Sequence, residues 1–105
     1  MADTQSDWDI SVEDLKRLHD TNEDFFLLDV REPNEVAQAT LGGTNIPLAT
    51  VASRLDEIPR DQKVVVHCAL GGRSAKAVTA LRQLGYENVW NVQGGIKAWA
   101  ERIGE

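Results

Sequence analysis

The stretch Lys63-Val64-Val65-Val66-His67-Cys68-Ala69-Leu70-Gly71-Gly72-Arg73-Ser74 decides how this chain is read. Its apolar β-branched run predicts a strand over 63–67 that is buried on both faces. The strand delivers the only cysteine in the sequence to a short glycine-rich turn, and a helical pattern starts at Arg73-Ser74. Backbone N–H groups and the positive end of a helix stabilise negative charge in such a loop. The same field favours thiolate over thiol and lowers a cysteine pKa from its ordinary value of about 8.5. A thiolate is a nucleophile at neutral pH, so Cys68 is the candidate catalytic residue.

Outward from that stretch, strands and helices alternate. Toward the N-terminus, Phe25-Phe26-Leu27-Leu28-Asp29-Val30 is a second continuous apolar run and predicts another doubly buried strand. Pro33 suits the first turn of a short helix running to about Ala39, because it lacks the N–H that would be orphaned there. Residues 41–47 combine a glycine turn with a short strand stopped by Pro47. Leu48, Val51, Ala52 and Leu55 fall at i, i+3, i+4 and i+7 and predict an amphipathic helix that ends at Pro59-Arg60-Asp61. Trp8-Asp9-Ile10 is a short strand candidate. Ser11 then caps a helix whose apolar face is Val12, Leu15 and Leu18, with Asp14 as an acidic variant of the capping box. Asn22 and the acids near it mark a turn.

Beyond the cysteine loop, Ala77, Val78, Leu81 and Leu84 form an apolar stripe, and Gly85 is placed to end that helix in the left-handed conformation. Residues 88–92 predict a strand, Gly94-Gly95 a turn, and Ile96, Trp99, Ala100 and Ile103 a last helix. The pattern is α/β: a parallel sheet of five strands with helices on both faces. Such folds bind ligands at the carboxyl ends of their strands, where Cys68 lies. Residues 1–7 read as a disordered tail and 8–105 as one domain.

Composition narrows the function classes. With 105 residues and 42% hydrophobic content, the chain can bury a core without staples. A formal charge of −6 disfavours nucleic acid and anionic membranes as partners, since both require a basic face. A single cysteine excludes an internal disulfide, a CxxC redox pair and a multi-cysteine zinc site, so no metal is expected. The first seven residues lack the basic and apolar regions of a secretory signal, and no apolar run approaches the ~20 residues of a membrane span. A cytoplasmic monomer is the expectation.

Four segments together resemble a single-domain rhodanese, a sulfurtransferase of the rhodanese homology family. They are Ile10-Ser11-Val12-Glu13-Asp14-Leu15, Leu28-Asp29-Val30-Arg31-Glu32-Pro33-Asn34-Glu35, Cys68-Ala69-Leu70-Gly71-Gly72-Arg73-Ser74 and Gly94-Gly95-Ile96-Lys97-Ala98-Trp99. The resemblance covers nearly the whole chain from about Asp9. It departs from the family pattern at Ala39-Thr40-Leu41-Gly42-Gly43-Thr44, which has no histidine before Asn45-Ile46-Pro47. The Leu-Gly-Gly form is similar to rhodanese domains fused to enzymes that activate ubiquitin-like sulfur carriers.

The resemblance implies a rhodanese-like fold and a chemistry. Cys68 would take a sulfane sulfur from a small donor such as thiosulfate, become a persulfide, and pass the outer sulfur to a thiophilic acceptor. That acceptor would be cyanide, a thiol or a sulfur-carrier protein, and no cofactor is required. The loop residues Ala69, Leu70, Gly71, Gly72, Arg73 and Ser74 would bind the substrate. Their N–H groups would face the persulfide, and the Arg73 fork would take the donor's sulfonate. Ser74 would supply a hydroxyl and cap the helix, while Gly71 and Gly72 would answer backbone demands of the loop. His67 should point away from the thiol, because neighbours on a strand face opposite ways. His19 should face solvent. Asp29 and Arg31 are read evenly as site residues or as a structural ion pair, and Trp8, Trp90 and Trp99 as packing residues.

Two other readings compete. A cysteine phosphatase or arsenate reductase shares the strand–loop–helix logic, but its loop holds five residues between cysteine and arginine, and here there are four. One residue adds up to ~3.3–3.6 Å of chain, which decides whether a tetrahedral oxyanion fits. The other is a sulfur-relay or protein-interaction module with little thiosulfate turnover.

Overall fold

The computed structural model describes residues 8–104; the tail expected over 1–7 lies outside the described residues. Five strands form one parallel sheet: β1 (Asp9–Ile10), β2 (Phe25–Asp29), β3 (Thr44–Asn45), β4 (Lys63–His67) and β5 (Val89–Val92), in the order β1-β5-β4-β2-β3. In the centre, β2 and β4 pair from Phe25 opposite Lys63 to Asp29 opposite His67. Four α-helices connect them: α1 (Val12–Asp20), α2 (Pro33–Gln38), α3 (Gly72–Gln83) and α4 (Gly95–Arg102).

Alternation along β4 builds a core on each face. Val64 and Val66 join Leu28, Val89 and the Ala77, Val78 and Leu81 face of α3. Val65 joins Leu27, Val92, the Val12, Leu15 and Leu18 face of α1, and Trp99 of α4. Burying each such aliphatic side chain contributes roughly 1.5–3 kcal/mol. Cys68 carries the β4 alternation onto the α3 side.

The helix ends follow the residues expected of them. The Ser11 hydroxyl accepts from the Asp14 N–H at 3.0 Å, and the Asp14 carboxylate accepts from the Ser11 N–H at 3.2 Å. At the end of α3, the Tyr86 N–H reaches the Leu81 carbonyl and the Gly85 N–H that of Arg82, each at 3.0 Å. This closure turns Leu84 outward, where it is 52% exposed, so the apolar stripe of α3 stops at Leu81. Ala100 is likewise exposed, and α4 packs through Trp99 with Ala98 and Ile103.

The helix expected over Leu48, Val51, Ala52 and Leu55 takes a different form. Two 3-10 segments, Leu48–Ser53 and Leu55–Glu57, occupy the stretch, separated by Arg54 at φ −128°. Their bonds span three residues: Thr50 N–H to Pro47 O, Arg54 N–H to Val51 O, Ile58 N–H to Leu55 O. The Thr50 and Ser53 hydroxyls donate to the Pro47 and Thr50 carbonyls at 2.9 Å, competing for the acceptors an α-helix would use. Val51 is buried, and Ala52 is exposed. Among the described residues, no helix is long and apolar enough to cross a membrane.

Candidate active site

Cys68 ends β4 at the carboxyl edge of the sheet, and the loop after it curls back over the sulfur. The N–H of Gly71 lies 3.1 Å from Sγ, the N–H of Ser74 3.3 Å and the Ser74 hydroxyl 3.4 Å. Burial pushes the Cys68 thiol up. The hydroxyl of Ser74 and the N–H groups of Ser74, Gly71 and Leu70 together outweigh it and hold the thiol below its ordinary value.

The curl depends on backbone that only some residues tolerate. Gly71 precedes α3 at φ 107°, the left-handed region, and so aims its N–H at the sulfur. Gly72 answers no such demand: it is the first residue of α3, and a Cβ there would meet open space. The loop is also held from behind. The Ile96 and Lys97 N–H groups at the start of α4 donate to the carbonyls of Cys68 and Ala69 at 2.9 and 3.1 Å. A Cβ at Gly95 would stand 2.6 Å from the Ala69 oxygen, so glycine lets α4 approach the loop.

Ser74 sits inside α3 rather than at its cap; Gly71 occupies the cap position without a side chain. The Ser74 hydroxyl lies within reach of Cys68 Sγ and the Asn91 side-chain oxygen, and Asn91 Nδ2 donates to Asp9 at 3.0 Å. Ala69 is half-buried and Leu70 is 65% exposed at the loop tip. Leu70 and Gly71 border a cavity of about 320 Å³ shared with Trp8, Val78 and Asn91. A larger cavity, about 530 Å³, lies at the far end of the sheet around Lys63, Asn88 and Trp90, remote from the thiol.

Asp29 and Arg31 form a buried ion pair. Arg31 Nη2 is 2.8 Å from Asp29 Oδ2, and its Nε lies 3.0 and 3.2 Å from the two carboxylate oxygens. The Arg31 Nη2 also donates to the Ala39 carbonyl at 2.8 Å, which ties down the end of α2. His67 turns to this side of the sheet, with Nε2 3.7 Å from Asp29, and away from the thiol. His19 is exposed, with its ring against the edges of Phe25 and Trp99 at 5.2 and 6.0 Å. Trp99 is buried, while Trp8 and Trp90 flank the Arg82 guanidinium at 5.2 and 5.0 Å.

Comparison with known proteins fits this architecture. The model of the rhodanese-like domain matches residues 11–102. A sulfurtransferase of Allochromatium vinosum is 44% identical over 86 residues, 81% of this chain and 79% of that protein. The chain belongs to the rhodanese-like family. Its architecture extends to the human single-domain sulfurtransferase TSTD1, with a TM-score of 0.83 at 26% identity over 92% of this chain and 98% of that one. The adenylyltransferase and sulfurtransferase MOCS3-2 of Zea mays is 31% identical over 102 residues; these are 90% of this chain but 21% of that protein.

One residue of this rhodanese-like site escaped the sequence reading. Arg73 was expected to face an anion, and the anion beside it is the Glu35 carboxylate of α2. The two side chains make a forked pair, Nη1 to Oε1 at 2.7 Å and Nη2 to Oε2 at 2.9 Å. The Arg73 bonds, followed by that from the Glu32 N–H, bring the Glu35 carboxyl down to about 2. The same bonds raise the Arg73 guanidinium further above its ordinary value. The only sequence signal for this contact was the proximity of Glu35 to the strand end at Asp29. Among the described residues, no group of three His, Cys, Asp or Glu side chains is placed to hold a metal ion.

Proposed function

We propose that this chain is a sulfurtransferase, moving a sulfane sulfur from thiosulfate or a persulfide donor to a thiophilic acceptor through a persulfide on Cys68. The observation that carries this reading is the ring of donors on one sulfur: two backbone N–H groups and a hydroxyl within 3.4 Å. Such a ring stabilises a thiolate before transfer and an anionic persulfide after it, with no metal or cofactor in the step. The sulfurtransferase relatives support the same chemistry.

The transfer is a double displacement. The Cys68 thiolate attacks the outer sulfur of thiosulfate. A sulfur–sulfur bond forms to Cys68, the one within thiosulfate breaks, and sulfite leaves with its electron pair. In the second half, the persulfide takes up a proton from water, an acceptor thiolate attacks its outer sulfur, and the acceptor leaves as a new persulfide. The Cys68 thiolate is restored with the electron pair of the broken bond. No net oxidation occurs over the cycle.

Intact mass of the purified protein tests the reading. After thiosulfate it should gain one sulfur atom, lose it on addition of cyanide, and show no gain in Cys68→Ser. Cyanide–thiosulfate turnover that persists in Cys68→Ser would overturn the mechanism. No gain from either thiosulfate or a small persulfide, with Cys68 reduced, would overturn the function.

A further inference from the structure

The anion site of the loop is filled from within the chain. Arg73 is the only cation between Cys68 and Ser74. Both its terminal nitrogens rest on Glu35, at 2.7 and 2.9 Å, so the fork that suits a sulfonate already holds a carboxylate of matching shape. The carboxylate is anchored. Its Oε1 also accepts from the Glu32 N–H at 2.9 Å, and the far end of α2 is tied to Arg31 through Ala39. The next cation along the site, Lys97 at the start of α4, is itself paired with Glu101 at 2.9 Å.

A free dianion such as thiosulfate therefore meets a neutralised arginine and must displace a doubly bonded carboxylate to reach it. An uncharged persulfide, R–S–SH, carries no anionic group that needs the fork. The Cys68 thiolate attacks its outer sulfur, the new sulfur–sulfur bond forms as the old one breaks, and R–S⁻ leaves with the electron pair, so Arg73 need not be freed.

We infer that Glu35 is a specificity-determining residue: acting through Arg73, it disfavours free dianionic donors and selects persulfides borne on thiols. The sulfur chemistry rests on the sulfurtransferase reading, but competition between Glu35 and an outside anion for Arg73 can be measured without turnover.

The probe is sulfate, titrated at constant ionic strength and followed by the NMR signals of the Arg73 Nε–H and the loop amides. Glu35→Gln keeps the Oε1 carbonyl for the Glu32 N–H and for Arg73 Nη1, removes the charge and turns an amide donor toward Nη2, so the cap survives while the fork loses its second arm and its counter-charge. No residue of α2 is buried, so the change leaves the core intact. Sulfate should bind about fivefold more tightly, the weight of a well-formed and partly exposed ion pair. Arg73→Ala should abolish the binding in both backgrounds. Glu35→Ala removes the carboxylate without adding a donor and should also bind sulfate more tightly. Unchanged or weaker sulfate binding in folded Glu35→Gln and Glu35→Ala overturns the inference.

On the same proteins, the ratio of kcat/KM with thiosulfate to that with N-acetylcysteamine persulfide should rise by a similar factor. An unchanged ratio in the presence of turnover overturns the inference too. If no variant transfers sulfur from either donor, the sulfurtransferase reading falls, and the sulfate titration still decides the role of Glu35.

Discussion

Ser74 meets the Cys68 sulfur twice, through its N–H at 3.3 Å and its hydroxyl at 3.4 Å. The hydroxyl has a single proton and two further acceptors, the Gly71 carbonyl at 3.2 Å and the Asn91 oxygen, whose amide is held in place by a bond from Nδ2 to Asp9. Against the upward push of burial, that hydroxyl is the strongest influence drawing the thiol down, ahead of the backbone N–H groups. Ser74→Ala should therefore shift the midpoint of the pH–rate profile for iodoacetamide alkylation of Cys68 to higher pH. An unmoved midpoint would remove the hydroxyl from thiolate stabilisation.

The Asp29–Arg31 pair bears on stability. Both side chains are nearly inaccessible, at 2% and 4% exposure, and Asp29 accepts from Arg31 through both oxygens. Asp29→Asn would leave a buried guanidinium facing a neutral amide, a change that costs about 3–5 kcal/mol in comparable buried pairs. Urea unfolding measures it. A loss below about 1 kcal/mol, the range of exposed pairs, would show that water reaches Arg31.

Much of this could be read in the chain because local rules and global packing agree. The triple valine of β4, the capping box at Ser11 and Asp14, and Gly94-Gly95 at the start of α4 each have one structural use, and the structure uses them so. Glu35 was not legible as the partner of Arg73. The two lie 38 positions apart, and only the pairing of β2 with β4 brings their following loops together. The spacing of Leu48, Val51 and Ala52 misled for a different reason. An i, i+3 repeat suits both a 3.6-residue and a 3.0-residue turn, and the local hydroxyls chose the tighter one. Gly71 and Gly72 look alike in sequence, and what separates them is the left-handed φ of Gly71 and its close approach to the Gly94 backbone.

The same contrast of φ and available space separates Gly72 from Gly95 and predicts opposite outcomes for their substitution. Gly72→Ala places a methyl in open space at the start of α3 and reduces the freedom of the unfolded chain, so it should stabilise by about 0.5–1 kcal/mol. Gly95→Ala drives a Cβ against the Ala69 carbonyl from a residue at φ 62°, and should cost about 1–3 kcal/mol as α4 and the loop are forced apart. Thermal unfolding of the two variants decides. A Gly95→Ala protein as stable as the wild type would mean that α4 can withdraw from the loop at no cost.

His67 gives the fold a pH dependence of its own. Its ring is fully buried, neither nitrogen makes a hydrogen bond of good geometry, and Nε2 lies 3.7 Å from Asp29. Burial pushes the imidazole below its ordinary 6.5. The Asp29 carboxylate and a weak contact with the Cys68 backbone oppose this, while the Arg31 charge adds to it. A base whose folded pKa is depressed takes up its proton more readily once unfolded, so it stabilises the fold fully only above the unfolded value. Stability should begin to fall as pH drops below about 6.5 and keep falling toward the lower folded value. Glu35 acts in a separate window. Its folded value of about 2 against an ordinary 4.5 means its contribution is present above 4.5 and is lost as pH falls from there toward 2. Replacing His67 by leucine should therefore flatten the slope of unfolding free energy between about pH 5 and 6.5 and leave the more acidic loss in place. Parallel slopes for the wild type and His67→Leu in that window would mean that the buried imidazole is not what the fold senses there.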